Sequence, residues 1–207
     1  MWDDSRFWNR VARRYARANI RDEGAYARKL EITQRYLTPG AEVLEVGCGT
    51  GTTALRHAPH AGHVLGTDIS SEMIAIARER ATEAGVTNVT FRQSALETLD
   101  LGEARFDAIL ALNLLHLLDD PAGAITRLAG ALKPGGVLVS STACLNDGLR
   151  WVAAIVPPLR LVGLAPRVRF LGGDDLRAGM RAAGLEIVED WRPKPRAALF
   201  LVAQKPA

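Results

Sequence analysis

The sequence predicts one α/β domain built on a mostly parallel β-sheet. Strand-length apolar runs alternate with helical segments over residues 42–142, and this alternation is typical of consecutive βαβ units. The 207 residues are 48% hydrophobic and 24% charged, a composition that supports one substantial core. No internal repeat or low-complexity linker divides the sequence, so we expect a single domain over residues 1–207.

An N-terminal helical arm is predicted over residues 1–38. Residues 5–18 have the pattern of an amphipathic helix, and a second helix is expected over residues 23–36. The apolar side of the first helix carries Phe7, Trp8, Val11, Ala12 and Tyr15. Its basic side carries Arg6, Arg10, Arg13, Arg14 and Arg17. We interpret the basic side as a solvated surface, and attraction of an anionic substrate or of lipid headgroups is the alternative.

The cofactor-binding core is expected over residues 41–143. Its last helix has a recognisable start, because Asp120 is a good N-cap and Pro121 suits the first helical position. That helix is expected to stop near residues 134–136, which read Pro-Gly-Gly. The predicted strands are 42–46, 63–67, 88–92, 106–112 and 137–142, and the predicted helices are 51–57, 71–84 and 121–132.

The regular alternation is interrupted at residues 144–173, which are apolar, partly helical and broken by prolines. We expect this insertion before the last helix to form a lid over the substrate. A C-terminal helix and strand pair follow over residues 174–207. Asp174 is predicted to cap the helix and Gly184 to end it, with strands at 185–191 and 197–203.

A glycine-rich turn after the first strand indicates a site for an adenosine-containing cofactor. Gly47, Gly49 and Gly51 allow positive φ angles and let a ligand approach the backbone closely. Asp68 ends the next strand, where a carboxylate can accept hydrogen bonds from two ribose hydroxyls.

The spacing of these glycines is unlike that of a dinucleotide-binding turn. The dinucleotide fingerprint is GxGxxG, and Thr52 stands where its third glycine is needed. Glu45 precedes the turn, and an acid at the mouth repels a pyrophosphate and attracts an amine. A nicotinamide oxidoreductase is therefore disfavoured.

Five segments in the expected order resemble the class I S-adenosylmethionine-dependent methyltransferases. The first reads EVGCGTG, and the five cover residues 45–51, 68–73, 89–93, 106–113 and 132–139. The resemblance implies a Rossmann-like sheet of seven mostly parallel strands, closed by an antiparallel strand and covered by helices on both faces. It also implies S-adenosylmethionine as the cofactor and methyl transfer as the activity.

The resemblance implies a role for each part of the turn region. The carboxylate of Glu45 and the backbone of residues 47–49 hold the methionine end, Asp68 binds the ribose and Ile69 contacts the adenine. Asn113 offers its carbonyl to the cofactor amine, although a strand-end cap is the alternative. The full set of expected cofactor contacts is Glu45, Gly47, Cys48, Gly49, Gly51, Asp68, Ile69, Met73, Ser94, Ala95, Leu96 and Asn113.

One segment departs from the family pattern. Many relatives carry an aspartate just after the third strand, and this chain has Gln93, Ser94, Ala95 and Leu96 there. Adenine is therefore expected to bind to other groups, such as the backbone N–H of Ala95 or Leu96, with Ser94 or Glu97 nearby.

Two side chains are candidates for a catalytic role. A sulfonium has a built-in leaving group, so positioning can supply much of the catalysis, and a base is needed only if the nucleophile carries a proton. His116 follows the fourth strand and is the candidate base, since an unperturbed histidine has a pKa of about 6.5. Tyr15 could close over the methyl group. For both residues, packing against apolar neighbours is the alternative.

No metal site is predicted. His57, His60 and His63 are separated by a proline and a glycine, in a segment that joins a helix to a strand. Asp119 and Asp120 could suggest a magnesium site, but helix capping already explains Asp120.

Charge and composition limit the partners. A net charge of +3 without a concentrated basic patch argues against nucleic acid. Arginines and paired prolines in residues 149–165 argue against a membrane span. Charged residues in the first ten positions argue against a signal peptide, so a cytoplasmic protein with two reduced cysteines is expected. The sequence carries no signal of oligomeric state.

The leading hypothesis is thus methyl transfer to a small acceptor. If residues 149–164 roof the site, their apolar character favours a largely apolar acceptor. The alternative is a non-catalytic regulator that binds an adenosyl ligand, motivated by the missing adenine-binding aspartate.

Overall fold

A computed structural model describes residues 4–148, 155–156, 158–159 and 165–207 of the protein. Most of the apolar stretch expected to roof the site, residues 149–164, lies outside the described residues. No helix in the described part of the chain is long and apolar enough to cross a membrane.

Seven strands form one sheet in the order β3-β2-β1-β4-β5-β7-β6. Strands β1 to β5 pair in parallel, and β7 runs antiparallel to both β5 and β6. The predicted seven-stranded, mostly parallel sheet with an antiparallel closing strand is confirmed. The strands are β1 (Glu42–Val46), β2 (His63–Asp68), β3 (Val89–Gln93), β4 (Phe106–Leu112), β5 (Leu132–Thr142), β6 (Glu186–Trp191) and β7 (Leu199–Gln204).

Helices cover both faces of the sheet and bury two apolar clusters. On one face, Ile125 and Leu128 of α5 and Met180 of α6 pack onto the sheet. On the other face, Ile32 of α2 and Ile74 of α4 do the same. The described helices are α1 (Asp4–Arg17), α2 (Glu23–Gln34), α3 (Thr52–His57), α4 (Ser71–Glu83), α5 (Pro121–Ala131) and α6 (Gly173–Ala182).

Strand β5 begins five residues earlier than predicted. Leu132 already pairs with Phe106, and a register shift separates this pair from the next one, Ala108 with Val137. The irregularity lies at the Pro-Gly-Gly segment, which reads as a turn in the sequence. Gly136 is required there, because a Cβ at this position would meet the carbonyl oxygen of Lys133 at 2.9 Å.

The last helix is capped by a different residue from the one predicted. Its N-cap is Gly172, not Asp174, and the side chain of Asp175 accepts a hydrogen bond from the Gly172 N–H at 2.9 Å. Asp147 accepts the Gly173 N–H at 3.2 Å. The sequence pattern missed this start because Asp147 comes from a distant segment.

Both cysteines of the chain are buried free thiols. Cys48 lies beneath the glycine-rich turn, with its Sγ 3.1 Å from where a Cβ on Gly66 would stand. Burial raises the pKa of Cys48 and of Cys144.

Candidate active site

The carboxyl ends of the parallel strands open into one cavity of about 1510 Å³. This is the edge at which ligands bind in open α/β sheets. Of the residues predicted from the sequence, those lining the cavity are Tyr15, Gly47, Gly49, Asp68, Ile69, Met73, Ser94, Ala95, Leu96, Asn113 and His116. Three others, Glu45, Cys48 and Gly51, belong to the same turn region without being part of the cavity wall.

The glycines of the turn have different local surroundings. All three have positive φ, 66° at Gly47, 54° at Gly49 and 76° at Gly51. A Cβ on Gly51 would lie 2.7 Å from Cζ of Phe91, so this glycine is needed for the packing of the turn onto β3. A Cβ on Gly49 would meet only Cε1 of Tyr15, at 3.7 Å, so Gly49 exposes its backbone to the cavity.

Asp68 is held in place by the backbone of two neighbouring segments. One oxygen, Oδ2, accepts the N–H of Gly49 at 2.9 Å, and Oδ1 accepts the N–H of Ser70 at 2.9 Å. Burial raises the pKa of Asp68, and these N–H groups oppose the rise. A carboxylate has about four acceptor positions, so the side chain retains acceptor capacity toward the cavity.

Glu45 lies beneath the turn and not at the mouth of the cavity. Its side chain is 3% exposed, and Oε2 has no hydrogen-bond partner among the described residues. Burial raises the pKa of Glu45 to about 8, an N–H from Ala54 opposes the rise and the charge of Asp68 adds to it. The sequence could not show this burial, because an acid at the end of a strand can point either way.

The segment after β3 forms the cavity wall beside Asp68. The N–H of Ser94 donates to the backbone oxygen of Asp68 at 2.9 Å. Arg127 of α5, which also lines the cavity, donates to the carbonyl of Leu96 at 2.7 Å and to that of Leu99 at 3.0 Å. This arginine was missed by sequence reasoning, since nothing local connects α5 to the segment after β3.

Asn113 has an unusual backbone conformation. Its φ is 56°, in the left-handed region that non-glycine residues seldom adopt, and Asn tolerates it better than most. The Asn113 N–H donates to the carbonyl of Ser141 at 2.6 Å, which fixes the end of β4 to β5. The bend exposes the Asn113 side chain where the strand meets the cavity.

Comparison with known proteins decides the family. A model described as a methyltransferase domain matches residues 43–136. The chain is 36% identical over 180 residues to a ubiquinone biosynthesis O-methyltransferase of Xylella fastidiosa (strain 9a5c), covering 80% of this chain and 72% of that one. It is 33% identical over 164 residues to a protein of the same name from Hahella chejuensis (strain KCTC 2396), covering 76% and 68%.

The chain belongs to the class I S-adenosylmethionine-dependent methyltransferases.

A solved structure supports the fold of this methyltransferase. An S-adenosylmethionine-dependent methyltransferase from Mesorhizobium loti superposes with a TM-score of 0.71 at 19% identity, covering 89% of this chain and 99% of that chain. The protein is therefore an enzyme that transfers a methyl group from S-adenosylmethionine to a small molecule. These relatives do not favour the non-catalytic regulator or the nicotinamide oxidoreductase.

His116 lies in the methyltransferase cavity, on the short 3₁₀ turn Leu115–Leu117. Its Nδ1 is buried and has no hydrogen-bond partner among the described residues. Burial lowers the pKa of His116 to about 4, so the imidazole is neutral at pH 7. A neutral imidazole has a nitrogen that can accept a proton, and the lowered pKa makes it a weaker base than an exposed histidine.

Tyr15 brings a phenol from α1 to the cofactor-binding turn. The side chain lines the cavity and is 51% exposed. Its partial burial, followed by the negative charges of Glu45 and Asp68, raises the pKa of Tyr15. The phenol therefore stays protonated near neutral pH and is a hydrogen-bond donor, not a base.

Residues 166–168 line one side of the cavity. Arg167 pairs with Asp119, and its Nε lies 3.9 Å from a carboxylate oxygen of Asp4 at the start of α1. The N–H of Arg169 donates to the carbonyl of His116 at 2.7 Å. Residues 165–171 thus connect the N-terminal helix to the turn that carries His116.

No group of three His, Cys, Asp or Glu side chains in the described ranges could hold a metal ion. His57 is buried, and burial lowers its pKa to about 4. His63 instead contacts Thr90 at 2.9 Å.

Proposed function

We propose that this enzyme methylates a hydroxyl group on a small, largely apolar acceptor. The observation that supports the proposal is the character of the cavity beyond the cofactor-binding turn. Its apolar lining there includes Trp8, Leu117, Leu118, Ala143, Leu145, Val156, Pro166 and Val168. The cavity volume of about 1510 Å³ exceeds the roughly 300–1,000 Å³ of ordinary small-molecule sites, so it has room for two ligands.

The charges of the cavity favour an acceptor without negative charge. Four carboxylates besides Asp68 line it, at Asp4, Glu97, Asp119 and Asp120. Among the described residues, two arginines line it: Arg127 donates to backbone carbonyls, and Arg167 pairs with Asp119. An anionic acceptor would meet net repulsion here.

The cofactor-binding residues fit S-adenosylmethionine. Gly47 and Gly49 line the cavity and leave room for the methionine end, and Glu45 beneath them has a buried oxygen with no partner among the described residues. Asp68 would accept the ribose hydroxyls, and Ile69 and Met73 would pack against the adenine. Bound S-adenosylmethionine supplies an electrophilic methyl group, and when the bond from this methyl group to the sulfonium sulfur breaks, the sulfur becomes a neutral thioether.

His116 is proposed as the base for the acceptor. As the acceptor oxygen forms its bond to the methyl group, the hydroxyl proton passes to the neutral imidazole. The apolar walls exclude water from this proton and from the methyl group. The names of the two relatives, which are O-methyltransferases, support an oxygen nucleophile.

The test uses the purified enzyme with isotopically labelled S-adenosylmethionine. Catechol and a long-chain 4-alkylcatechol serve as paired probes that differ only in apolar surface. We expect the alkyl compound to be labelled with a kcat/KM at least tenfold higher, since each buried CH₂ contributes about 0.8 kcal/mol. Equal labelling of the two, or a preference for a carboxylated catechol, contradicts an apolar acceptor.

A further inference from the structure

Helix α1 forms part of the cavity wall but contributes little to the core. Trp8 and Tyr15 both line the cavity. Among the residues of α1 only Ala12 is buried. The helix packs against α4 and is not part of the sheet. Polar contacts with neighbouring elements therefore help to fix its position.

The first of these contacts is made by Asn9. Its Oδ1 accepts the hydroxyl of Ser70 at 2.6 Å and the N–H of Glu72 at 3.3 Å. Ser70 also donates its own N–H to Asp68. One chain of hydrogen bonds thus connects α1 to the carboxylate expected to bind the ribose.

The second contact is made by Arg80 of α4. Its Nη1 donates to the Oγ1 of Thr50 at 2.8 Å and to the Oγ1 of Thr52 at 2.9 Å. Its Nη2 donates to the carbonyl of Ala16, in the last turn of α1, at 2.7 Å. A single guanidinium therefore joins the glycine-rich turn to the end of the helix.

Each contact lies beside a cavity residue. Asn9 follows Trp8 directly, and Ala16 follows Tyr15 directly. Fixing these two points on α1 sets the places of the indole and the phenol. The ring of Tyr15 lies next to Gly49: a Cβ on Gly49 would stand 3.7 Å from Cε1 of Tyr15.

We propose that Asn9 and Arg80 are positioning residues for methyl transfer, which hold α1 against the cofactor-binding segments and thereby place Trp8 and Tyr15 over the bound cofactor and acceptor. The inference rests on the proposed function, in that it takes the cavity as the cofactor and acceptor site. It has the consequence that cofactor binding and the docking of α1 stabilise each other.

Trypsin can report the docking of α1, because the helix carries exposed arginines and cleavage requires local opening. Cleavage after Arg13, inside the helix, is compared with cleavage after Arg21, which lies outside α1. The rate of cleavage after Arg13 divided by the rate after Arg21, the Arg13 ratio, measures opening of the helix in the intact chain. With S-adenosylhomocysteine at about 100 times its dissociation constant, we expect the ratio to fall at least tenfold.

Matched variants then test the two residues. Asn9→Leu keeps the size of the side chain and removes the acceptor, whereas Asn9→Asp keeps an acceptor for Ser70. Arg80→Met removes the donors, whereas Arg80→Lys keeps the charge but cannot reach both Thr50 and Ala16 as a guanidinium does. For Asn9→Leu and Arg80→Met we expect the Arg13 ratio and the dissociation constant of S-adenosylhomocysteine to rise about tenfold each.

Asn9→Asp should have an Arg13 ratio and a dissociation constant for S-adenosylhomocysteine near those of the parent. For Arg80→Lys, both quantities should lie between those of the parent and those of Arg80→Met. The proposal is wrong if Asn9→Leu and Arg80→Met leave cleavage and cofactor affinity unchanged. It is also wrong if S-adenosylhomocysteine fails to protect Arg13 in the parent while calorimetry shows it bound. Neither readout uses an acceptor, so rejection of the apolar acceptor leaves this test intact.

Discussion

The carboxylate of Asp68 accepts the backbone N–H of Gly49 at 2.9 Å, so the end of β2 and the turn after β1 are joined through the side chain expected to bind the ribose. The same carboxylate holds the N–H of Ser70 before α4. One residue thus shapes the glycine-rich turn and is also the one expected to bind the ribose of the cofactor.

Asp68→Asn is expected to weaken binding of S-adenosylhomocysteine by at least about 100-fold. An amide can accept from only one of the two N–H groups, and its NH₂ opposes the other donor. Calorimetry measures the dissociation constant. The control is Asp100→Asn, because Asp100 is exposed and contacts only its own turn, through the N–H of Gly102 at 3.2 Å. Tight binding by Asp68→Asn would contradict this role.

Glu45→Gln is expected to change how stability depends on pH. The pKa of Glu45 is about 8 in the folded protein and about 4.3 in an unfolded chain, so the folded state holds the extra proton between these values. Stability contributed by this group is therefore lost as pH rises from about 4 to 8. The loss over that whole window is on the order of 5 kcal/mol at most.

Urea unfolding of the cofactor-free parent and of Glu45→Gln at pH 6 and pH 8.5 measures this difference. The parent should lose more stability than the variant between the two pH values. If the parent and the variant lose the same free energy of unfolding, Glu45 is ionised in the folded protein at both pH values.

His116→Asn is expected to reduce kcat by about 10² to 10⁴-fold and to leave the affinity for S-adenosylhomocysteine unchanged. Because the pKa of His116 is about 4, the parent imidazole is already neutral well below pH 7. Its contribution to kcat/KM should therefore be constant above about pH 5 and fall only below that value.

The control for this variant is His60→Asn, since His60 is exposed on a turn away from the cavity. Labelled methyl transfer measures both variants. A parent-like rate for His116→Asn would show that the acceptor loses its proton to another group or to water.

The glycines of the turn should respond differently to alanine. Gly51→Ala places a Cβ 2.7 Å from Phe91 in addition to the strain of φ 76°, and we expect a loss of about 3 kcal/mol or more. Gly85→Ala is the matched control, because Gly85 has φ 65° and no atom within 4 Å of the added Cβ. It should cost only about 1 kcal/mol. Denaturant unfolding measures both, and equal losses would mean that the packing against Phe91 adjusts freely.

The sequence was sufficient for the positions of the first four strands along the chain and for the approach of Asp68 to the glycine turn. Both depend on local pattern, since carboxyl ends of neighbouring parallel strands must share one edge. It was not sufficient for the direction of Glu45, for the early start of β5 or for the N-cap of the last helix. An acid at a strand end such as Glu45 can point either way, whereas the start of β5 depends on the irregularity near Gly136 and the last helix on Asp147, which is distant in the sequence.

The roles of Asn9 and Arg80 in holding α1 could not be predicted from the sequence for the same reason. Asn9 reaches Ser70 over 61 positions and Arg80 reaches Ala16 over 64. The apolar side of α1 placed Trp8 and Tyr15 on one side of the helix, but no pattern within the helix shows what fixes its position.

Both native thiols are buried, and burial raises the pKa of each, so neither offers a reactive thiolate at the surface. A cysteine introduced on the exposed side of α1, as in Arg13→Cys, should therefore be the one that a maleimide dye modifies. Fluorescence from that dye would follow the docking of the helix in real time, without cutting the chain and without first removing the native cysteines.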